Sequence, residues 1–268
     1  MMKIRKEIEE KLLEIERKEK VRIIRAVESG SRAWGFASPD SDYDVRFIYV
    51  RQQADYLMLN EKRDVIEWQL DETLDINGWD VKKALRQAYK GNAVLFEWAL
   101  SPIVYRTTEE WESFWEALKQ YFDARALIGH YYGTALNTRK CYLGGETVRY
   151  KKYFYALRPL LACRYIEAFQ TAPPMKFEDL CIVLPEDLKL PVDRLLEIKQ
   201  RADEADTGEH IAVIDEFIRT ELESQHEILE AANGRTEKDW EPLNKVFRRL
   251  VYGVSSDDIA EAKAAIVR

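Results

Sequence analysis

Two aspartates, Asp42 and Asp44, stand two positions apart at the start of a segment, residues 43–50, that is rich in β-branched and aromatic residues. This composition predicts a strand, and side chains two positions apart project from the same face of a strand. The two carboxylates are therefore expected to converge, and they would repel each other unless a cation lay between them. Mg²⁺, which prefers oxygen ligands and substrate phosphates, is the cofactor that the pair predicts, with Mn²⁺ as an alternative.

A second feature, Gly30-Ser31, follows a predicted strand over 21–27 and precedes a predicted short helix. Backbone N–H groups at such a turn, together with the Ser31 hydroxyl, can bind a phosphate group. Arg32 comes next and is a candidate contact for a triphosphate, with a surface role as the alternative. A phosphate-binding turn beside a carboxylate pair is typical of phosphoryl-transfer sites, where metal ions stabilise the attacking and leaving oxygens.

Each feature alone is commonplace, since Asp-x-Asp near a turn is usually a surface or capping feature and Gly-Ser after a strand is usually a plain turn. Their combination is specific, with ten residues between Ser31 and Asp42. The segment GSRAWGFASPDSDYDVRFIYV resembles the signature of the DNA polymerase β-type nucleotidyltransferases. Residues 74–105 and 149–169 are further similar to the predicted bacterial and phage nucleotidyltransferases of the YcgL type, a group that includes the RNA-ligase-associated one.

The resemblance implies a metal site completed by a third carboxylate from a later strand. Asp75, in a predicted strand over 73–76, matches that position, and Glu67 in the preceding predicted strand over 64–70 is the alternative. The implied site therefore consists of Asp42, Asp44 and Asp75. Asp80 is expected to cap the following helix instead.

The charge distribution indicates a second part of the site. Residues 124–166 contain eight basic side chains and one acidic side chain, in a chain of formal net charge −7. On a predicted helix over 150–170, Lys151, Tyr155 and Arg158 share one side and Lys152 is adjacent to it. This face is predicted to bind a nucleotide through its cations and a stacking ring, whereas a solvated helix with core aromatics is the alternative.

The fold class expected is α+β. An N-terminal polymerase-β-like nucleotidyltransferase domain with a mixed sheet, residues 1–107, would precede an all-helical nucleotide- or substrate-binding domain, residues 108–268. The first domain is predicted to add helices over 3–19, 80–89 and 93–100 to its strands. The second is predicted to contain helices over 108–122, 123–137, 150–170, 191–205, 209–232, 236–251 and 255–267, with the Pro185–Pro191 stretch as a loop.

Composition excludes several classes of protein. Hydrophobic residues make up 46% of the chain, which excludes a wholly disordered protein, and the net charge of −7 excludes an overall basic nucleic-acid coat. The longest stretch without Asp, Glu, Lys or Arg is 13 residues, against about 18 needed to cross a bilayer. The charged N-terminal segment has no signal-peptide core, and three cysteines fit reduced thiols. A cytoplasmic protein without a membrane partner is expected.

The function predicted from these features is metal-dependent transfer of a nucleoside monophosphate from a triphosphate, with ATP as the expected donor, to a hydroxyl acceptor. An RNA end, in RNA repair or on a tRNA, is the first acceptor predicted. The alternatives are a protein hydroxyl on a partner or toxin, a small molecule such as an aminoglycoside, and a catalytically silent nucleotide-binding module. No oligomeric state is predicted.

Overall fold

The computed structural model describes residues 2–38, 41–71, 73–201, 207–231 and 237–253. The turn residues Pro39 and Asp40 and the predicted helix over 255–267 lie outside the described residues. Among the described residues we find no helix with the length and hydrophobicity of a membrane-spanning segment.

A five-stranded mixed sheet forms the N-terminal part of the protein, and it confirms the α+β class. Its strands are β1 (Val21–Glu28), β2 (Tyr43–Arg51), β3 (Val65–Leu70), β4 (Leu74–Asp80) and β5 (Val104–Thr107), in the spatial order β3-β4-β2-β1-β5. Strands β2 and β4 are parallel, and the other neighbours are antiparallel. The two parallel strands at the centre carry the predicted carboxylates.

Helices surround the sheet. Helix α1 (Met2–Glu19) precedes it, and the short helices α2 (Gly30–Trp34) and α3 (Gln53–Tyr56) flank β2. The remaining helices are α4 (Val81–Tyr89), α5 (Ala93–Leu100), α6 (Glu109–Gln120), α7 (Ala124–Tyr142), α8 (Tyr150–Phe169), α9 (Phe177–Leu180), α10 (Glu186–Arg201), α11 (Ala212–Ala231) and α12 (Glu241–Tyr252). A 3₁₀ turn covers Cys181–Val183, and the short strands β6 (Val148–Arg149) and β7 (Thr207–Gly208) pair with each other.

The two faces of the sheet are buried by different elements because inward side chains alternate along each strand. On one face, Ile8, Leu12 and Ile15 of α1 pack with strand residues such as Phe47 and Ile76. On the other face, Ile48 and Val50 of β2 join a larger core that extends through the helices, with members such as Phe96, Leu157, Leu195, Ile218 and Leu250. This core draws residues from both sides of position 107, and the division into two domains stays a prediction.

Two sequence-based expectations were wrong in detail. Strand β5 was not predicted, since its four residues alternate weakly and follow Pro102. The Pro185–Pro191 stretch is largely helical, because α10 begins at Glu186 and contains Pro191. An internal proline disfavours a helix locally. Here the buried side chains of Leu188, Val192 and Leu195 on either side of it stabilise the helix against the larger core.

Candidate active site

The two parallel strands bring Asp44 and Asp75 side by side. Asp44 of β2 is in register with Asp75 of β4, and the Arg46 guanidinium lies between their carboxylates. Its Nη2 donates to Asp44 Oδ1 at 2.7 Å and to Asp75 Oδ2 at 2.6 Å. The three side chains are 15 to 23% exposed, so that a ligand can reach them from solvent. The arrangement is a pair of carboxylates held around one positive charge.

Arg46 is a site residue that the sequence reasoning missed. The signal that could have found it was present, since Asp42, Asp44 and Arg46 follow the same alternation along one strand face. Arg46 is further anchored by a hydrogen bond from Nη1 to the Asp75 carbonyl at 2.8 Å. It occupies the position in which a cation was predicted.

Asp42 precedes β2, is exposed, and acts electrostatically on Asp44. Burial raises the pKa of the Asp44 carboxyl above its ordinary value; the Arg46 charge opposes this shift, and the charges of Asp42 and Asp75 add to it. Such mutual repulsion is relieved by a divalent cation. Across the described ranges, no three His, Cys, Asp or Glu side chains already enclose an ion position. The oxygen donors still fit Mg²⁺, which would take the place that Arg46 occupies.

Gly30 lies directly against the Asp44 carboxylate. A Cβ at position 30 would come within 2.0 Å of Asp44 Oδ2, and the Gly30 φ of +58° is in the left-handed region that glycine tolerates. The Ser29 N–H donates to the Asp44 carbonyl at 2.8 Å, and Ser31, at the start of α2, is 8% exposed. The predicted phosphate-binding turn and the carboxylate pair are thus in van der Waals contact.

Arg32 fixes the backbone at the aspartates. Its Nε donates to the Asp42 carbonyl at 3.0 Å and its Nη2 donates to the Ser41 carbonyl. Its guanidinium also lies 3.7 Å from the centre of the Tyr43 ring. In the structure Arg32 therefore positions the start of β2. The contact with a triphosphate that the sequence predicts for Arg32 stays a prediction.

Glu28, at the end of β1, is a second residue that the sequence reasoning missed. It is fully buried; its Oε1 accepts from the Asp44 N–H at 2.7 Å and its Oε2 accepts from the Tyr105 hydroxyl. Burial raises the pKa of Glu28 from 4.5 to about 7. Since Tyr105 lies 77 positions away on β5, no local pattern indicates this contact.

Helix α8 approaches the end of α2 through aromatic contacts. The Tyr155 ring packs edge-on against Trp34 with 5.5 Å between centroids. Lys152 Nζ lies 5.0 Å from the centre of the Tyr155 ring and 3.9 Å from that of Tyr142. Lys151 is half-buried one residue earlier on the helix. Tyr155 and Lys152 of the predicted basic face thus lie near the C-terminal end of α2.

Arg158 has a different place. It is 3% exposed, its Nη1 donates to Glu97 Oε1 at 2.8 Å, and its guanidinium lies 4.7 Å from the Trp34 ring. Two further nitrogens donate to the Met175 carbonyl. These contacts join α5, α8 and α2, so Arg158 has a packing role and is not part of the ligand set proposed below. Its main partner lies 61 positions away, beyond what helix periodicity can show.

The other acidic residues weighed from the sequence have simpler roles. Asp80 caps α4 as expected, since its Oδ1 accepts from the Lys82 N–H at 2.8 Å. The Glu67 side chain is 70% exposed and pairs with Arg63. On β3, Glu67 is in register with Asn77, one strand further from Asp44 than Asp75 is. Geometry therefore favours Asp75 over Glu67 as the third carboxylate.

Comparison with known proteins identifies the family of the chain. The chain is 41% identical over 262 residues to the "Uncharacterized protein YcgL" of Bacillus subtilis (strain 168), in a match that covers 95% of this chain and 99% of that protein. A family model described as the RNA repair pathway DNA polymerase beta family, RlaP, matches residues 4–249 and includes every candidate site residue named above. The chain belongs to this RNA repair pathway DNA polymerase β family.

Proposed function

We propose that the protein transfers a nucleoside monophosphate from a nucleoside triphosphate, with ATP as the donor, to a hydroxyl group at an RNA end. The observation that carries the proposal is the contact between the Gly30 turn and Asp44, with Asp75 in register beside it. Family membership implies nucleotidyl transfer in an RNA repair context. Donor, acceptor and metal are the proposal's own additions.

The carboxylates of Asp42, Asp44 and Asp75 would hold Mg²⁺, with Mn²⁺ as a substitute. When bound, the ion supplies charge neutralisation and alignment of the triphosphate. Arg46 would then release its two carboxylate contacts, which the charge of the bound ion would replace. The chain thus keeps its acids paired in either state.

The remaining residues bind and orient the donor. The Gly30-Ser31 turn would contact the β- and γ-phosphates next to Asp44, while Lys151 and Lys152 would neutralise the charge of the departing pyrophosphate. Tyr155, packed on Trp34, offers a ring edge near this position. Arg32 would keep the strand start in place and contact the triphosphate at its edge.

In the reaction, the acceptor oxygen attacks the α-phosphorus in line with the leaving group. A new P–O bond forms to the acceptor, the bond between the α-phosphorus and its bridging oxygen breaks, and pyrophosphate leaves. Asp75, on the side of the site away from the Gly30 turn, would accept the proton of the hydroxyl. Most of the rate enhancement would come from charge stabilisation and alignment.

An RNA acceptor is favoured by the basic surface of residues 124–166, which contrasts with the net charge of −7 of the whole chain. Exposed members of that surface include Arg139, Lys140 and Arg149. Arg158 and Arg164 form ion pairs with Glu97 and Glu221. Phosphates of an RNA strand can therefore reach Arg139, Lys140 and Arg149 from solvent.

The test is incubation with Mg²⁺ and each of four α-labelled nucleoside triphosphates, in the presence of total RNA and cell lysate. Wild type is compared with Asp42→Ala/Asp44→Ala and with Asp64→Ala, a matched control whose side chain is 58% exposed on the surface. The proposal is supported if wild type and Asp64→Ala label RNA and Asp42→Ala/Asp44→Ala does not. The triphosphate that gives the label then identifies the nucleotide. Label in protein overturns the RNA acceptor in favour of AMP transfer to a partner, and no label in any fraction favours a silent nucleotide-binding module.

A further inference from the structure

A pocket opens on the face of the sheet opposite to the carboxylate pair. Its volume is about 400 Å³, which lies in the range of small-molecule sites. Its lining includes Arg5 from α1, Glu28 from β1, Arg32 from α2, Tyr43 from β2, and Ile103 and Tyr105 from the β5 segment. The first turn of α1 covers this end of the sheet incompletely and leaves the pocket open to solvent.

Two guanidinium–tyrosine pairs form the walls. The Arg32 guanidinium lies 3.7 Å from the centre of the Tyr43 ring, and the Arg5 guanidinium lies 5.5 Å from that of Tyr105. Both arginines are held in place, because Arg5 donates to Glu9 at 2.9 Å and to the Val104 carbonyl at 2.7 Å. Arg32 is held by the carbonyls at the strand start. The pocket is thus flanked by fixed planar groups before any ligand arrives.

The floor and the remaining lining are of mixed character. Glu28 and Tyr105 lie at the bottom, hydrogen-bonded to each other, and Ile4 and Ile103 provide apolar contacts. At Gly35, which also lines the pocket, a Cβ would meet no atom within 4 Å, so the space beside the backbone is open. Flat cationic and aromatic groups, apolar sides and a polar floor together suit a planar heteroaromatic ring with hydrogen-bonding edges.

This pocket lies on the other face of the sheet from the position proposed for the triphosphate, and Arg32 is the residue that borders both. Tyr43 and Asp44 are consecutive on β2 and therefore project from opposite faces. The pocket nevertheless touches the catalytic strand, because Glu28 accepts from the Asp44 N–H and Arg32 binds the Asp42 carbonyl. An occupant would contact the two side chains that fix the backbone of both aspartates.

We infer that this pocket binds the nucleobase of a second nucleotide, distinct from the triphosphate donor. The ring comes either from a free nucleoside or nucleotide or from an unpaired end of an RNA strand, and these share the same base chemistry. The inference does not depend on the transfer reaction, since it requires neither metal nor triphosphate.

The experiment titrates the full chain with adenosine, guanosine, cytidine and uridine, one at a time, by ligand-observed NMR and calorimetry in the presence of EDTA. Nucleosides lack phosphates, so they report on a base site alone. We expect at least one of them to bind with one site per chain. Ile103→Trp should fill the pocket and weaken nucleoside binding at least tenfold. The substitution keeps the backbone carbonyl of position 103, which accepts a hydrogen bond from the Glu28 N–H.

Tyr43→Ala, which removes one wall of the pocket, should also weaken binding of the same nucleoside. Circular dichroism establishes that each variant is folded. The matched control is Tyr252→Ala, which removes a tyrosine that is 44% exposed at the end of α12. A chain that binds none of the four nucleosides overturns the inference. So does a nucleoside that binds wild type and Ile103→Trp equally well.

Competition separates the possible sources of the ring. A short single-stranded RNA that displaces the nucleoside from wild type and from the Tyr252→Ala control alike assigns the pocket to a strand end, and failure to displace it from either assigns the pocket to a free nucleotide. Displacement by a magnesium-bound non-hydrolysable triphosphate would place the pocket in the donor site and overturn the assignment to a second nucleotide. Failure of the labelling experiment would leave all these binding results unchanged.

Discussion

The parallel strands β2 and β4 carry an acid–arginine cluster at each end, and the two clusters differ in their chemistry. At one end Arg46 bridges Asp44 and Asp75, with all three side chains 15 to 23% exposed. At the other end, five residues or about 17 Å further along each strand, Arg51 lies beside Asp80, and these side chains are 7% and 5% exposed. The same residue types on the same pair of strands therefore allow a direct comparison.

The two clusters differ in how many carboxylate oxygens of the aspartate accept hydrogen bonds from the protein. Asp80 Oδ1 accepts from the Lys82 N–H at 2.8 Å and Oδ2 accepts from the Tyr56 hydroxyl at 3.1 Å. Asp44 Oδ1 accepts from Arg46, whereas Oδ2 lies against Gly30 and accepts no hydrogen bond from any of the described residues. An acid whose oxygens are all bound within the fold is structural, and an acid with an oxygen left over can bind a ligand.

The largest effect is expected for Asp44→Asn. The amide keeps the shape of the side chain but loses the charge that holds a cation, so the rate of nucleotidyl transfer should fall about 10³-fold. The midpoint of thermal unfolding should stay the same or rise, since one of three mutually repelling carboxylates is removed. Label transfer and calorimetry on the same preparation measure both quantities, and a large loss of stability would contradict the comparison.

Asp80→Ala should show the opposite behaviour. It removes a helix cap and the partner of a buried arginine, so the free energy of unfolding should fall by about 3 kcal/mol. Urea unfolding measures this change. The protein that remains folded should transfer label at the wild-type rate, and an inactive but fully folded Asp80→Ala variant would show that the two ends are not independent.

A smaller effect, and one that depends on pH, is expected at Glu28. With its pKa raised from 4.5 to about 7, folded Glu28 keeps a proton that the unfolded chain has released between these two pH values. The free energy of unfolding of wild type should therefore fall as pH rises from about 4.5 to 7, by up to about 3 kcal/mol.

Glu28→Gln cannot lose a proton, so it should lack this pH dependence. At pH 8 the variant should be more stable than wild type by about 2 kcal/mol. This is less than the full free-energy change of wild type, because the amide nitrogen cannot accept the hydrogen bond that the Tyr105 hydroxyl donates to Oε2. Denaturant unfolding at pH 5 and pH 8 measures the difference. Equal pH slopes for the two proteins would mean that Glu28 is already charged at neutral pH in the folded state.

The smallest effect is expected for Arg46→Gln. Without the bridging guanidinium, Asp44 and Asp75 repel each other, so the protein in EDTA should be less stable than wild type by about 1 kcal/mol. Added Mg²⁺ should then stabilise the variant more than it stabilises wild type, because the ion no longer competes with an arginine. Arg63→Gln, whose partner Glu67 is 70% exposed, is the matched control and should show neither change.

Much of the fold could be predicted because its signals are local. The β-branched composition of Val21–Val27 and the helical spacing of Ile8, Leu12 and Ile15 depend only on nearby residues, and β1 and α1 were predicted almost to their ends. The turn at Gly30-Ser31 likewise begins a short helix as predicted, and Gly30 lies against Asp44.

The rest could not be predicted because it depends on distant partners. The carboxyl of Glu28 is buried by a strand 77 positions further along, and Arg158 is neutralised by a glutamate 61 positions away. From the sequence alone, the spacing of Arg158 on α8 fitted a ligand contact as well as it fitted a packing contact. Only the tertiary structure distinguishes a cation that faces a site from one that closes a core.

The contact between Gly30 and the Asp44 carboxylate also bears on how such a site would decay in evolution. Two separate requirements keep position 30 as glycine: the left-handed φ of +58° and the absence of space for a Cβ beside Asp44. A lineage that abandons catalysis and shortens the side chain at position 44 removes the steric requirement and keeps the conformational one. Asparagine tolerates that φ better than other residues with a side chain. Gly30→Asn is therefore the replacement expected to appear first among descendants that have lost catalysis. The residues at positions 30 and 44 together would then indicate whether a descendant retains the chemistry.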